Sequence, residues 1–370
     1  MRPTLGRTLG ATAVAVAALA LAGCGSDDNL PRADRATAGG AECGGKNTLT
    51  AEGSTAQQNA IAVFNQAWRQ VCPDKNLAYN PTGSGAGREQ FVADQVDFAG
   101  SDSAITGAQA EQAAARCAGN PPWNLPLVFG PVAVIYHLDG VDDLVLDADA
   151  LARIFSGRIT RWNDPAIAAL NPDAVLPDQP VTPIYRSDSS GTTDNFQRYL
   201  ATAAPQHWNK GAGSEFQGGV GEGAQKSAGV VQAVQATPGA VGYVEKGFAE
   251  HAGMRFARID NGAGPVALTD ETAGRAIDAA GFAGDGHDLI LDLDSIFGTT
   301  EPDAYPLVPP TYEIVCSAGY DPDTGAAVKA FLRFAATDGQ PGLSAAGYVP
   351  LPERFKQRLL AAVEAIGTTE

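Results

Sequence analysis

Residues 186–196 read RSDSSGTTDNF, which places an arginine, an aspartate, several hydroxyls and a glycine together. They lie between an apolar run, Val181 to Tyr185, and a run of helical character, Asn195 to Leu200. The pattern predicts a strand-to-helix turn. The first turn of a helix has backbone N–H groups without helical partners and the positive end of the dipole. An arginine in front adds a planar, permanently charged group, so the stretch is suited to an oxyanion. In the simpler alternative it is a capping turn, with Asp194 or Thr193 as N-cap.

Three further turns have the same composition. Each combines glycine with hydroxyl residues after an apolar run and before a helix-like run. Because ligands of open α/β sheets bind at the carboxyl ends of strands, we expect the four turns to converge on one site rich in hydrogen-bond donors. The three turns are Gly53 to Gln57 (GSTAQ), Gly83 to Gly87 (GSGAG) and Phe98 to Ser103 (FAGSDS).

The N-terminus has the form of a secretory signal. Arg2 and Arg7 precede an apolar run, Leu9 to Ala22, and small residues lead into Cys24. The run is shorter than the ~18 residues expected of a membrane-spanning helix. A cysteine at this point resembles a bacterial lipoprotein signal, which predicts cleavage after residue 23 and lipid attachment to Cys24. The alternative is a plain secretory signal with a chance cysteine. Residues 24–46 then form a flexible tether.

Four cysteines remain if Cys24 carries lipid, an even number that suits disulfides in an oxidising compartment. Spacing alone leaves three pairings open. Cys43 lies just before the first predicted strand and Cys72 just after the first helix, which favours Cys43–Cys72. Cys117–Cys316 follows by elimination.

Charge and motif content exclude several functions. The formal net charge is −17, which argues against nucleic acid as a partner. The four histidines are scattered without metal-ligand spacing, and neither a G-x-S-x-G nor an S-x-x-K motif occurs. We therefore expect no metal, no cofactor and no catalytic activity. The enzyme alternative, a secreted phosphatase, would need a nucleophile together with a base or a metal cluster.

Strand-like and helix-like runs alternate along the chain, which predicts an α/β protein with mainly parallel sheets. The folded part is too long for one core, so two lobes are expected. Proline and glycine clusters near 120–131 and 302–310 predict two crossings between them. The first lobe then consists of 47–127 and 305–370, and the second of 128–304.

At this level of detail the sequence resembles the phosphate-binding lipoproteins of bacterial phosphate ABC importers. The resemblance is greatest to the actinobacterial branch, and it extends over nearly the whole mature chain. It implies a two-lobed periplasmic-binding-protein fold with two hinge crossings. Its motifs are GST, GSGAG, GSDS and RSDSSGTTDNFQRYL, followed by WNDPAI (162–167), PGAVGYVE (238–245), YPLV (305–308) and GYVPLP (347–352).

The resemblance implies a set of phosphate ligands in the four turns. Asp188 would orient the arginine. Ala56 stands where many relatives have an aromatic residue, and a backbone donor tolerates that change. The implied ligands are Thr55, Ala56, Ser84, Asp102, Arg186, Ser190, Gly191 and Thr192.

Asp102 would give selectivity for phosphate over sulfate, because hydrogen phosphate has a proton to donate to the carboxylate and sulfate has none. The simpler role for Asp102 is an N-cap, and for Arg186 and Asp188 a surface salt bridge. The implied function is phosphate capture for a membrane permease, by a protein anchored to the outer face of the cell membrane. A receptor for sulfate, molybdate or phosphonate, and an adhesion or signalling lipoprotein, are the alternative binding functions.

Overall fold

A computed structural model describes residues 43–368. The predicted signal peptide (1–23), Cys24 and most of the tether (24–46) lie outside the described residues. Among residues 43–368, no helix has the length and apolar character needed to cross a membrane.

Strands and helices alternate through the described part of the chain, as the sequence predicts. The strands are β1 (Thr48–Gly53), β2 (Asn76–Pro81), β3 (Phe98–Ser101), β4 (Pro122–Phe129), β5 (Val132–Tyr136), β6 (Val145–Asp147), β7 (Thr182–Arg186), β8 (Glu222–Ala224), β9 (Ala240–Glu245), β10 (Arg255–Phe256), β11 (Arg258–Asp260), β12 (Pro265–Val266), β13 (Gly281–Phe282), β14 (Leu291–Asp292) and β15 (Pro310–Cys316). The α-helices are α1 (Gln58–Val71), α2 (Ser84–Val92), α3 (Gly107–Arg116), α4 (Ala148–Phe155), α5 (Pro165–Leu170), α6 (Gly191–Ala203), α7 (Lys226–Ala236), α8 (Lys246–His251), α9 (Asp270–Ala279), α10 (Asp294–Phe297), α11 (Pro322–Ala336) and α12 (Glu353–Ala365).

Two five-stranded sheets organise these elements. The first has the order β2-β1-β3-β15-β4 and the second β10-β5-β9-β7-β8. In the first, β1 pairs in parallel with β2 and β3, and β15 pairs antiparallel with β3 and β4. In the second, β7 pairs in parallel with β8 and β9, and β5 pairs antiparallel with β9 and β10. In each sheet four of the five strands therefore run in the same direction, and only β15 in the first and β5 in the second run against the others. The prediction of mainly parallel sheets is confirmed. The chain leaves the first sheet along β4 and returns along β15, so the returning strand runs against its neighbours.

The chain passes between the two sheets at Gly130 and Pro131. β4 ends before this point and β5 begins after it, because proline has no N–H to offer a ladder. A second segment runs alongside the first. The N–H of Gly130 donates to the carbonyl of Pro309 (3.2 Å), and that of Val132 donates to the carbonyl of Leu307 (2.8 Å). The two connections between the sheets are thus joined by hydrogen bonds.

Each sheet has its own aromatic core. On the first, α1 buries an apolar stripe that includes Phe64 and Trp68, and the Trp68 ring packs 5.2 Å from that of Phe331. On the second, the rings of Phe196 and Tyr243 stack at 4.3 Å. These cores fix α1 and α6, the helices that follow two of the predicted binding turns.

The β13–β14 hairpin packs on elements of the first sheet, although it falls within the predicted second lobe. The ring of Phe282 lies 5.0 Å from that of Phe355 in α12. Asp288, in the loop of the hairpin, accepts from the backbone N–H of Asn124 (2.7 Å).

Both predicted disulfides are present, Cys43–Cys72 with Cα atoms 5.7 Å apart and Cys117–Cys316 with Cα atoms 5.3 Å apart. Cys117 follows α3 and Cys316 ends β15. The second disulfide joins segments separated by 199 residues, the first by only 29. It therefore restricts the unfolded chain more.

Replacing Cys117 and Cys316 together by serine is expected to lower the free energy of unfolding by about 2–4 kcal/mol. The same change at Cys43 and Cys72 should cost less, because a shorter loop is released. Urea unfolding of both double variants at pH 7 measures this. An equal or larger loss for the Cys43/Cys72 variant would contradict the loop-length argument.

Candidate functional site

The turn that follows β7 has the predicted strand-to-helix geometry. Arg186 ends the strand, Gly191 begins α6, and Ser190 is the N-cap, with its Oγ accepting from the N–H of Thr193 (3.2 Å). The alternative in which Asp194 or Thr193 caps the helix is wrong, since both residues lie within it. With Ser190 as the N-cap, the first turn of α6 begins at Gly191 and faces the neighbouring turns.

Arg186 and Asp188 form a buried, bidentate pair. Nε and Nη2 of the arginine donate to Oδ1 (2.8 Å) and Oδ2 (2.5 Å) of the aspartate. The side chains are only 2% and 11% exposed, so the surface salt-bridge alternative is wrong. Burial alone would raise the pKa of Asp188 and lower that of Arg186, but their hydrogen bonds and opposite charges reverse both shifts. Both groups are therefore charged, and Nη1 is directed toward Ser227 Oγ (3.4 Å).

Asp102 lies at the centre of a buried hydroxyl cluster. Its Oδ1 accepts from Ser54 Oγ (2.6 Å) and Thr311 Oγ1 (2.7 Å). Its Oδ2 accepts from Ser84 Oγ (3.1 Å). The simpler reading of Asp102 as an N-cap is wrong, because α3 is preceded by Thr106.

The environment of Asp102 changes its proton affinity. Burial, reinforced by the negative charge of Glu245, raises the pKa of Asp102 to about 6, against the lowering effect of the hydroxyl donors. The carboxyl group is therefore mainly ionised above pH 6. It then accepts hydrogen bonds and donates none.

The first turn, before α1, contributes Thr55 and Ala56. Thr55 Oγ1 lies 2.8 Å from Ser227 Oγ, and the N–H of Ala56 donates to Ser54 Oγ (3.0 Å). Tyr348 supports the turn through a hydrogen bond to the carbonyl of Ala56 (2.6 Å). Of the two predicted ligands here, Thr55 directs its side chain toward elements of the second sheet.

The predicted convergence of the four turns is confirmed by their contacts. A Cβ at Gly191 would lie 2.5 Å from Ser84 Oγ and 2.8 Å from Asp102 Oδ2. Nearby, the N–H of Gly85 donates to the carbonyl of Ser189 (3.1 Å). Glycine at 191 thus allows the N-terminus of α6 to approach the second and third turns closely.

Thr192, the last predicted ligand, donates to the buried carboxylate of Glu245 (2.6 Å). The second oxygen of Glu245 is buried without a hydrogen-bond partner among the described residues, as is Oδ1 of Asn195. Asn195 Nδ2 donates to the carbonyl of Asp102 (2.7 Å). The sequence prediction missed both residues. The position of Glu245 at the carboxyl end of β9, beside β7, was the available signal.

Glu313 is a second carboxyl group that sequence analysis missed. It is 0% exposed on β15, and neither of its oxygens has a hydrogen-bond partner with good geometry in the described chain. The neighbouring Gln57 likewise has a buried Oε1 without a donor. Burial raises the pKa of Glu313 to about 8, and the charge of Asp102 adds to the effect. The side chain of Gln57 opposes this effect only in part, so the neutral acid fits this position at neutral pH.

Glu313→Gln is expected to reduce the loss of stability between pH 5 and pH 8. The pKa of Glu313 is about 8 in the folded state and near the ordinary value of 4.5 in the unfolded state. Over this range the folded state keeps a proton that the unfolded state releases, so rising pH lowers the free energy of unfolding. Glutamine does not ionise, so the free energy of unfolding of the variant should be higher than that of the wild type by about 1–3 kcal/mol at pH 8.

Urea unfolding at pH 5, 6.5 and 8 measures the difference. Glu301→Gln, at an exposed position, is the matched control and should follow the wild-type curve. If the pH profiles of wild type and Glu313→Gln ran parallel, the buried neutral acid would be refuted.

The fold, and the cluster of hydroxyls and charged groups where the four turns meet, are those of a solute-binding protein. The family comparison agrees. Residues 36–338 match the model of the PBP superfamily domain. The chain belongs to the family of phosphate-binding proteins named PstS. It is 49% identical over 359 residues to the phosphate-binding protein PstS 3 of Mycobacterium tuberculosis, which covers 95% of this chain and 96% of that protein. This is a family of binding proteins and not of enzymes, as the sequence predicts.

Solved structures agree on the fold. One is a high-affinity periplasmic phosphate-binding protein (PfluDING) bound with phosphate at pH 8.5, with a TM-score of 0.68 and 22% identity over 85% of this chain and 93% of that one. Another is a phosphate ABC transporter substrate-binding protein from Clostridium perfringens with bound phosphate, with a TM-score of 0.60 and 16% identity over 83% of this chain and 100% of that one. At these identities the likeness concerns the fold alone.

Proposed function

We propose that this protein binds inorganic phosphate between two lobes and delivers it to the membrane permease of an ABC phosphate importer. One lobe is built on the first sheet (47–127 and 305–370) and the other on the second (128–304), with the β13–β14 hairpin moving with the first. The proposed ligands are the eight residues implied by the sequence. The family membership and the convergence of the four turns support this assignment.

The environment of Asp102 carries the proposal. Oδ1 already accepts two hydrogen bonds, from Ser54 and Thr311, whereas Oδ2 accepts one, from Ser84. A carboxylate oxygen has two lone pairs, so Oδ2 has acceptor capacity left. The missing side chain of Gly191 exposes this oxygen to the N-terminus of α6. A ligand that brings both negative charge and a proton, as hydrogen phosphate does, matches such an acceptor among donors.

Hydrogen bonds, more than net charge, hold the anion in this proposal. Arg186 is neutralised by Asp188, and Asp102 and Glu245 add further carboxylates. The attraction therefore comes from local donors, which are effective in a buried site where water does not compete. Local donors also suit a protein whose overall charge is −17, because no long-range attraction of anions is required.

Contacts between the two sheets' elements support closure around the ligand. Asn195 in α6 donates to the carbonyl of Asp102, and Ser103 Oγ donates to Asp194 (2.5 Å). A ligand bound to residues of both lobes favours the state in which these contacts form. Phosphate would thus shift the protein toward the closed form that a permease recognises.

The proposal also includes the compartment and the anchor. Cleavage before Cys24 and lipid on its thiol would hold the protein on the outer face of the cell membrane, with residues 24–46 as the tether. Mass spectrometry of the mature protein tests this directly, since an unmodified Cys24 would exclude the anchor.

Titration of the stripped mature chain with phosphate, with and without excess sulfate, tests the assignment. We expect one phosphate per chain at pH 8 and little competition by sulfate, because ionised Asp102 repels an anion without a proton. Asp102→Asn should keep the fold and lose most of this selectivity, since a neutral side chain faces either anion without charge repulsion. The wild type should lose selectivity as the pH falls below 6, where Asp102 takes up a proton. Unchanged selectivity in Asp102→Asn would remove the proton-sensing account, and absence of phosphate binding by the wild type would remove the function.

Arg186→Ala is expected to weaken phosphate binding by roughly a hundredfold or more. The variant loses charge-assisted donors and leaves Asp188 buried without its partner. Arg186→Lys keeps the charge but not the planar guanidinium group, and its phosphate affinity should lie between those of the wild type and Arg186→Ala. Arg161→Ala, which removes an exposed ion pair with Asp178, is the control and should bind like the wild type. Near-normal affinity of Arg186→Ala would place the RSDSSGTT turn outside the binding site.

A further inference from the structure

Ser227 is a buried serine that belongs to none of the four sequence turns, yet its side chain reaches the site. It lies at the start of α7 and is almost completely buried. Its Oγ is 2.8 Å from Thr55 Oγ1, which comes from the first sheet's side, and 3.4 Å from Arg186 Nη1. Ser227 therefore contacts two of the proposed phosphate ligands, one from each lobe.

A helix cap would be the ordinary role of a serine at this point, but the contacts do not fit it. Gln225 occupies the N-cap position of α7, and no side chain caps the helix there. The hydroxyl of Ser227 is instead directed away from the helix backbone, toward Thr55 and Arg186. Its position is thus explained by the site and not by the helix.

We infer that Ser227 is a further phosphate ligand, and that its hydrogen bond with Thr55 also joins the two lobes. This inference rests on the proposed function. Thr55 and Ser227 have one hydroxyl proton each, and the bond between them uses one. Ser227 Oγ faces the Nη1 donor of Arg186, and with Thr55 Oγ1 as a second donor it accepts from both and keeps its own proton for an anion. In this arrangement the free proton of Ser227 lies beside the guanidinium group of Arg186.

The backbone before Ser227 is held in a conformation that fixes this placement. Lys226 has a φ of 63°, in the left-handed region that residues other than glycine seldom adopt. Its N–H donates to Asp188 Oδ1 (2.9 Å), the same oxygen that accepts from Arg186 Nε. One carboxylate therefore positions both the arginine and the segment that presents Ser227.

Phosphate titration of Ser227→Ala in the mature chain tests the inference. Loss of one donor to a charged ligand should raise the Kd roughly tenfold to a hundredfold, mainly through faster dissociation in stopped-flow measurements. The stripped variant should unfold at nearly the temperature of the stripped wild type, while the stabilisation produced by phosphate should be smaller. Ser227→Cys, which keeps the size but has a weaker donor, should change the Kd in the same direction and serves if the alanine variant does not fold.

Ser214→Ala is the matched control. It also removes a hydrogen bond between the two sides, from Arg88 Nη2 (3.1 Å), but away from Arg186. Its Kd should stay within about twofold of the wild type. If the Kd of Ser227→Ala stays within twofold of the wild-type value, the inference is overturned and the proposed function stands. The Kd of Ser227→Cys decides in the same way where only that variant folds. An equal loss in Ser214→Ala would also overturn the inference, because any contact between the lobes would then suffice. A wild type that does not bind phosphate would overturn the proposed function together with it.

Discussion

The carboxylate of Asp102 is the interaction on which the arrangement of the site depends. It gathers hydroxyls from the turn before α1, from the start of α2 and from β15. Its own peptide carbonyl is bound by Asn195 of α6. A buried carboxylate is stable only when such donors surround it, so its charge determines where four separate segments end. The position of the site therefore follows from the need to solvate one negative charge without water.

Sequence analysis predicted the parts of this site that have a local pattern. The four turns combine glycine, hydroxyls and an abrupt change of hydrophobic periodicity, and each occurs where a strand ends. Glu245 had only its position at the end of a strand as a signal. Thr311 and Glu313 have no such pattern, because a polar residue within a strand reveals its partners only after the sheet has formed. Which strand of each sheet runs against the others was not predicted, for a related reason. Pairing between β4 and β15 joins residues nearly two hundred positions apart, and no local signal encodes the direction in which a returning strand runs.

The acids around the site differ in charge state although they share one chemistry. Asp188 is ionised because Arg186 and the N–H of Lys226 stabilise its charge. Asp102 has a pKa of about 6, since hydroxyl donors offset only part of the cost of burial. Glu313, where the Gln57 side chain offsets burial only in part and the charge of Asp102 adds to it, has a pKa of about 8. Asp188 and Asp102 each accept three hydrogen bonds, so the positive charge of Arg186 beside Asp188 accounts for the difference between them. A binding site for an anion can thus contain several acids without accumulating their charges.

The paired connections between the sheets limit how the two halves can move. Two separate strands of chain would permit twisting and sliding as well as bending. Here the segment around Gly130 is hydrogen-bonded to the segment around Leu307, so these two connections act as a single narrow ribbon. The two ends of the β13–β14 hairpin add further links between the halves and restrict their motion again. A ribbon bends easily across its face and resists shear along its length. The halves would then open and close along one path, and each closure would bring the same atoms of Gly191 and Asp102 back into register.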